Sequence, residues 1–352
     1  MTKLYPLFLM TLLACPGDPE DTGDECNPTE GCVVAEELPG GLLCVRAPSP
    51  DEVWIVGSSP EPLDGTGPYL LEYNGVSWTR HDTSEWSGSE LWWAWIGENE
   101  NIFVGNDGLI LEMDKDDKTL TQIQGPQEDT NFFGVWGASS ADVWAVGMTQ
   151  GGQGPGALWR RQGGEWAEYV DPVLGESEDR TVYMKVDGTG PDDVWFVGSK
   201  GLSLRFDGAS LQQIPTDTEV STSSAPLLTV ETRGTDPIAV GGAGNALLLE
   251  YDGEAWRDKS PAFQPSLNGV CGQEGVFWAV GQNGSRSQRS ADGTWVSDMD
   301  NGTALLSYED WHGCDVSTDG SMWSVGGRIG SRPLTKGVIG FQGTTMPALL
   351  EL

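Results

Sequence analysis

Asp142-Val143-Trp144-Ala145-Val146-Gly147 is the stretch on which the reading of this chain turns. Val143 to Val146 form a short apolar run of β-branched and aromatic character, stopped by a glycine, which is the pattern of a buried strand ending at a change of direction. The pattern returns as Asp51-Glu52-Val53-Trp54-Ile55-Val56-Gly57, Asp193-Val194-Trp195-Phe196-Val197-Gly198, Val276-Phe277-Trp278-Ala279-Val280-Gly281 and Ser321-Met322-Trp323-Ser324-Val325-Gly326. Two weaker copies, Asn101-Ile102-Phe103-Val104-Gly105 and Pro237-Ile238-Ala239-Val240-Gly241, carry isoleucine at the tryptophan place. The seven terminal glycines stand 48, 42, 51, 43, 40 and 45 residues apart. That period matches a four-stranded propeller blade and exceeds the shorter helical repeats.

The surroundings of each copy repeat as well. Upstream lies a short apolar strand, such as Phe133-Gly134-Val135-Trp136 or Asn268-Gly269-Val270-Cys271. Downstream come a variable loop, another apolar strand and an Asn-Gly or Asp-Gly turn, as in Leu70-Leu71-Glu72-Tyr73-Asn74-Gly75 and Leu248-Leu249-Glu250-Tyr251-Asp252-Gly253. Asp207-Gly208 and Asp292-Gly293 hold the same place, and such pairs supply the positive φ angles that a two-residue hairpin demands. No lone blade buries both faces of its sheet, whereas blades packed radially do. The expected fold is therefore all-β, a seven-bladed β-propeller of four-stranded antiparallel blades spanning residues 36–352. Either Val33 to Leu38 or Met346 to Leu352 supplies the outer strand that closes the ring, and the pattern leaves both open.

Composition narrows the partners. Among 352 residues, 53 Asp and Glu face 19 Lys and Arg, a net charge of −34 that argues against a nucleic-acid backbone or an anionic membrane face as ligand. The 49 glycines and 16 tryptophans suit many short strands joined by tight turns, and a disordered chain would not carry so many indoles.

Residues 1–14 read as an export signal: Met1-Thr2-Lys3 form a positive head and Leu4 to Leu13 an apolar run too short to span a bilayer. Leu12-Leu13-Ala14-Cys15 resembles the bacterial lipobox, which implies a lipidated Cys15 held in a membrane by more than one acyl chain. Residues 15–35, acidic and rich in Pro and Gly near their start, read as a flexible tether. The expected protein is lipid-anchored and extracytoplasmic, at the outer membrane or cell surface, and monomeric.

The run D-V-W-A-V-G, a loop, then L-x-Y-D-G-x-x-W resembles the repeat of surface lipoproteins common in myxobacteria and, more distantly, the Asp-box propellers of the sialidase type. The likeness covers nearly the whole mature chain and implies a propeller exposed at a surface, but no settled activity. Ser290-Ala291-Asp292-Gly293-Thr294-Trp295 is a shortened Asp-box, expected to stabilise a turn. A sialidase would need an arginine cluster and a tyrosine nucleophile, and no matching segment opens the propeller. Quinoprotein propellers match poorly too, since the tryptophans here follow D-V rather than a longer docking motif.

Chemistry-bearing residues are few. His81 and His312 are the only histidines, which removes most His-based triads and metal clusters. His312 falls on an inner strand and is expected to be a hydrogen-bonded structural residue. Asp298, Asp300 and Glu309 imitate an EF-hand count, but Thr303 stands where glycine is needed and Gly302 replaces a ligand, so no metal is expected. Cys26 and Cys32 can close a small loop. Cys44, Cys271 and Cys314 are read as equivalent to one another and to Trp95 and Trp136 on inner strands, so that Cys314 can bridge to either neighbouring blade and leave one free thiol.

Two binding signals remain. Arg286, Arg289, Arg328 and Arg332, with Lys336, fall in segments without acidic residues, Ser285 to Ser290 and Gly320 to Leu350, and predict a local positive or neutral patch on one face of blades six and seven. Trp92, Trp93 and Trp311 lie outside the repeat positions, Trp92 and Trp311 being read as equivalent to Phe133 at the start of inner strands. The expectation is a non-enzymatic module without cofactor that binds protein or glycan. The alternative is a carbohydrate-active enzyme with paired carboxylates in the central mouth.

Overall fold

The computed structural model describes residues 31–350 apart from 61–64, 124–128, 150–155, 172–181, 217–224, 235, 274 and 291. The signal, Cys15 and Cys26 lie outside the described residues. The chain forms seven four-stranded antiparallel sheets arranged as a ring. The inner strands are Leu42–Ser49, Leu91–Ile96, Thr130–Ser139, Tyr183–Gly190, Leu227–Glu231, Leu267–Gln273 and Asp310–Val316. Each second strand carries one copy of the repeat, from Glu52–Gly57 in blade one to Met322–Arg328 in blade seven.

The last blade takes its outer strand from the start of the domain: Cys32–Leu38 pairs with Thr335–Gln342 in the sheet of blade seven. Of the two candidate clasps the N-terminal one is used, and the propeller begins at Cys32 rather than at residue 36. The C-terminal segment lies against blade one instead, where Ala348 O accepts from Trp78 Nε1 at 2.8 Å.

Steric necessity accounts for the repeated glycine. A Cβ on Gly57, Gly105, Gly147, Gly198, Gly241, Gly281 or Gly326 would stand between 1.8 and 2.3 Å from a backbone carbonyl oxygen of the residue that leads into the inner strand beside it. The chain passes so close that no side chain fits. The repeated tryptophan has a packing role. Trp144 lies edge-on against Phe196 and Phe206 of the next blade, at 5.2 and 5.3 Å between ring centroids, and Trp195 meets Tyr251 and Trp256 of the blade after that. Trp323 closes the circle against Tyr73 and Trp78 of blade one. Blades three, four and seven thus each hand an indole to their successor.

The acidic residue of the repeat is spent on the same tryptophan. Asp193 accepts from Trp195 Nε1 and from Arg205 Nε, and the Arg205 guanidinium lies over the Trp195 ring. In blade three Arg160 forms a two-pronged ion pair with Asp142 and covers the Trp144 ring at 4.5 Å. The shortened Asp-box is a turn element: Asp292 accepts from Ser290 Oγ and Thr294 N, bonds that hold its carboxyl down at about 2.

Candidate functional site

All seven inner strands carry the same irregularity near their start. The residue opposite the repeat glycine pairs in register, the next one is skipped, and pairing resumes one position on, as with Leu91 opposite Gly105 and Trp93 opposite Val104. The same slip occurs in the other six blades, at Leu43, Phe133, Met184, Leu228, Asn268 and His312. A β-bulge leaves the extra residue unpaired and re-aims its side chain. Here it aims them at the ring axis.

Trp92, Phe133, Met184, Leu228, Asn268 and His312, from blades two to seven, line one cavity of about 280 Å³. All six are half-buried. Only an axial cavity can be lined by six blades, so this is the mouth of the central channel on the face where the repeat glycines lie. Its rings interlock edge-on, Trp92 meeting Phe133 at 72° and His312 at 70° between planes. His312 donates from Nδ1 to the Leu43 carbonyl, and burial with the nearby Lys185 pushes it down to about 3, so it is neutral.

Lys185 forms part of the floor. It is 5% exposed, donates from Nζ to Phe133 O at 2.7 Å and stands 4.0 Å from the centroid of the Trp93 ring. Burial pulls it down to about 7.

The opposite mouth is polar. Three positions beyond each bulge residue stand Arg46, Trp95, Trp136, Asp187, Glu231, Cys271 and Asp315, each opposite the tryptophan place of its own blade. Most of them, with Arg233, line a cavity of about 340 Å³. Arg233 Nη2 joins Glu231 to Asp315, and Asp187 Oδ2 accepts from Thr232 N and Oγ1, both at 2.8 Å. Burial, and then the Glu231 charge, raise Asp187 well above the usual carboxylate range. Burial acts the same way on Asp315, but the guanidinium groups of Arg233 and Arg46 and the Ala47 N–H outweigh it and hold that carboxyl low. Among the described residues no group of three or more His, Cys, Asp and Glu is arranged to hold a metal ion.

The four predicted arginines do not all come together on one face. Arg286 is 1% exposed, ion-paired to Asp298 at 2.8 Å and hydrogen-bonded to Gln342, so it is a buried strut between blades six and seven. That pair also ties up the first residue of the EF-like count. Arg289 pairs with Glu250 at the far end of its strand, towards the opposite face. Arg328 and Arg332 do lie on the glycine face, exposed, with Arg332 bonded through both terminal nitrogens to Glu90 beside blade two. Sequence position alone did not show that Arg286 is buried against Asp298.

The extra tryptophans separate in the same way. Trp311 is fully buried and donates to Gly284 O, so it is no ligand platform. Its counterparts are Leu91 and Phe132, opposite the repeat glycine, whereas Trp92 is equivalent to Phe133 and His312. Trp93 is buried under Lys185. Among the cysteines, Cys271 and Cys314 form a disulfide between the inner strands of blades six and seven, and Cys44 is free and buried. Only Cys271 is equivalent to Trp95 and Trp136; Cys314 stands one position earlier and Cys44 two. Cys32 is disulfide-bonded. His81 pairs with Glu72 and stacks on Trp54.

These features define a seven-bladed β-propeller with two chemically unlike channel mouths. No family model and no curated protein matches the sequence. Solved structures match the shape. The structure described as "YCF48 bound to D1 peptide" is 15% identical with a TM-score of 0.61, covering 88% of this chain and 95% of that one. The extracellular domain of the putative hybrid two-component system BT4673 of B. thetaiotaomicron is 13% identical with a TM-score of 0.59, covering 85% of this chain and 38% of that one. The WD40 propeller domain of Doa1 is 12% identical with a TM-score of 0.62, covering 90% and 98%. At these identities the likeness is one of fold.

Proposed function

We propose that this protein is a non-enzymatic binding propeller that takes an apolar group of a partner protein into the glycine-face mouth. The observation that carries the reading is the ring of Trp92, Phe133, Met184 and Leu228, half-exposed around a cavity in a chain whose surface is otherwise strongly acidic. Concave apolar mouths with a few polar groups are where ligands bind, and buried aromatic anchors carry most of the energy of protein contacts. Edge-on packing of the Trp92 ring offers a slot for a side chain rather than a flat face for a sugar ring. A neighbouring propeller is described as bound to a peptide, and another is an extracellular domain, which agrees with this use of the fold.

The test is selection of displayed random peptides on the immobilised propeller, followed by Trp92→Ala and Phe133→Ala. Each variant should weaken the selected peptides by about tenfold or more, the scale of a lost anchor, while the melting temperature moves little. Undiminished binding to both variants overturns the reading.

Export and anchoring through Cys15 belong to the same proposal. The Cys271–Cys314 disulfide supports an oxidising compartment. Cys15→Ser should move the protein from the membrane to the soluble fraction, and a variant that stays with the membrane refutes the anchor.

A second reading has its own observation, the gathering of Asp187, Glu231 and Asp315 at the polar mouth. A carboxyl with raised proton affinity beside an ionised one is the pairing that glycoside cleavage uses. Two guanidinium groups tie down Glu231 and Asp315, which favours a structural network. Release of reducing sugar from cell-surface polysaccharide by the wild type, lost in Asp187→Asn, would move the assignment to an enzyme.

A further inference from the structure

Lys185, at the floor of the apolar mouth, is buried in an environment that is incomplete among the described residues. It lies on the inner strand of blade four, under the ring formed by Trp92, Phe133, Met184 and Leu228. A lysine ammonium has three N–H donors and no acceptor. One is taken by the Phe133 carbonyl, and the Trp93 ring covers a second side at 4.0 Å. Among the described residues no carboxylate stands within ion-pair distance of Nζ, in a chain with 53 acidic residues. Nearly all the other described Lys and Arg side chains that are not fully exposed have such a partner, Arg286 with Asp298 and Arg233 with Glu231 and Asp315 among them. A buried ammonium without a counter-ion is costly, and the cost is removed when a ligand brings the opposite charge.

We propose that the mouth binds a ligand that joins a carboxylate to an apolar body, with the carboxylate paired to Lys185 and the body held by Trp92, Phe133, Met184 and Leu228. The inference rests on the binding role of this mouth and adds the chemistry of its ligand. A cavity of about 280 Å³ takes one large side chain and a carboxylate, so a peptide C-terminus ending in an apolar residue and a small aryl or alkyl acid share the required chemistry.

The other charged and titratable groups facing Lys185 are accounted for. Cys44 beside it is a thiol whose proton burial holds on up to about 12. His312 is neutral down to about 3. Asp310 at the rim accepts from Asn283 N, and Glu90 at the rim is engaged by Arg332 and Trp92. Lys185 itself, lowered to about 7 by burial, is left as the group whose proton the ligand stabilises. A carboxylate favours the ammonium, so binding takes up protons around neutrality and weakens as pH rises.

The experiment is calorimetry of the purified domain with 4-phenylbutyrate and 4-phenylbutyramide, and with an octapeptide ending in phenylalanine as the free acid and as the amide. Each acid should bind about tenfold or more tighter than its amide at about pH 6.5, as expected of a charge-assisted bond. From about pH 6.5 to about pH 8.5 the acid should weaken roughly twentyfold by linkage to a group titrating near 7, while the amide stays constant. Lys185→Met should bring acid and amide to one affinity. Preference for the peptide acid over phenylbutyrate identifies a chain terminus as the source, and the reverse a free acid. Equal binding of acid and amide to the wild type, or no binding of any probe, overturns the carboxylate inference. If acid and amide bind alike but both weaken in Trp92→Ala, the mouth remains the binding site and only the Lys185 pairing fails.

Discussion

The carbonyl oxygen of Asn131 stands 1.8 Å from the point where a Cβ on Gly147 would be, so the end of one strand and the start of its neighbour touch through backbone alone. Six other blades repeat this contact, and it explains why every copy of the repeat ends in glycine although none of these glycines has a positive φ.

Gly147→Ala should therefore destabilise the domain by about 3 kcal/mol, the upper part of the range for forced overpacking, because backbone rather than a flexible side chain must move. Gly190→Ala is the control: its Cβ would meet only Asp192 Oδ1 at 3.5 Å, and the cost should stay within about 0.5 kcal/mol. Equal denaturation midpoints for the two variants would refute the steric account.

Trp144 is fully buried and packs edge-on against three rings, with Arg160 over its face. Trp144→Ala should cost about 3 to 5 kcal/mol in urea unfolding, as for other large aromatics deleted from cores. Since the indole belongs to the contact between blades three and four, loss of cooperativity should accompany the lower midpoint.

The Cys271–Cys314 bond closes a segment with a sequence separation of 43. Replacing both cysteines by alanine should lower stability by up to about 4 kcal/mol on the chain-entropy estimate for a loop of that length. Cys44 should behave oppositely in labelling: burial pushes its thiol up to about 12, so a maleimide should leave it unmodified in the folded protein and modify it once the chain is unfolded. Rapid labelling under native conditions would contradict its placement.

Asp187 gives a pH test of the polar mouth. Its carboxyl is raised in the folded state, so the fold binds that proton more tightly than the unfolded chain does. The contribution is fully present near the ordinary carboxylate value of about 4 and is lost as pH rises through the folded value. Asp187→Asn removes this loss. The variant should be more stable than wild type in alkaline buffer, and the difference should vanish as the pH approaches about 4. A constant difference across the range would show that Asp187 ionises normally.

Repeat count, blade size and the burial of Trp144 and Trp195 were legible in the sequence, because each depends on contacts that recur at fixed spacing. The mouth was not. Trp92, Phe133, Met184, Leu228, Asn268 and His312 share no residue type, so nothing in composition joins them, and the bulge that re-aims them shifts register by one residue. That same slip placed Trp311 beside Trp92 on paper and misaligned the three inner-strand cysteines. A signal was present all the same: the position just after the residue opposite each repeat glycine, read down all seven copies, is apolar in five.

The sequence by itself determined the architecture, since a glycine forced by backbone contact and an indole forced by packing leave a mark in every blade. Only the tertiary structure decided which strand closes the ring, which cysteines pair, that Arg286 is a strut, and that Lys185 meets Trp93 and the carbonyl of Phe133. Those outcomes depend on residues from different blades converging at an axis. Convergence is set by the curvature of the whole ring, and no local stretch of chain encodes it.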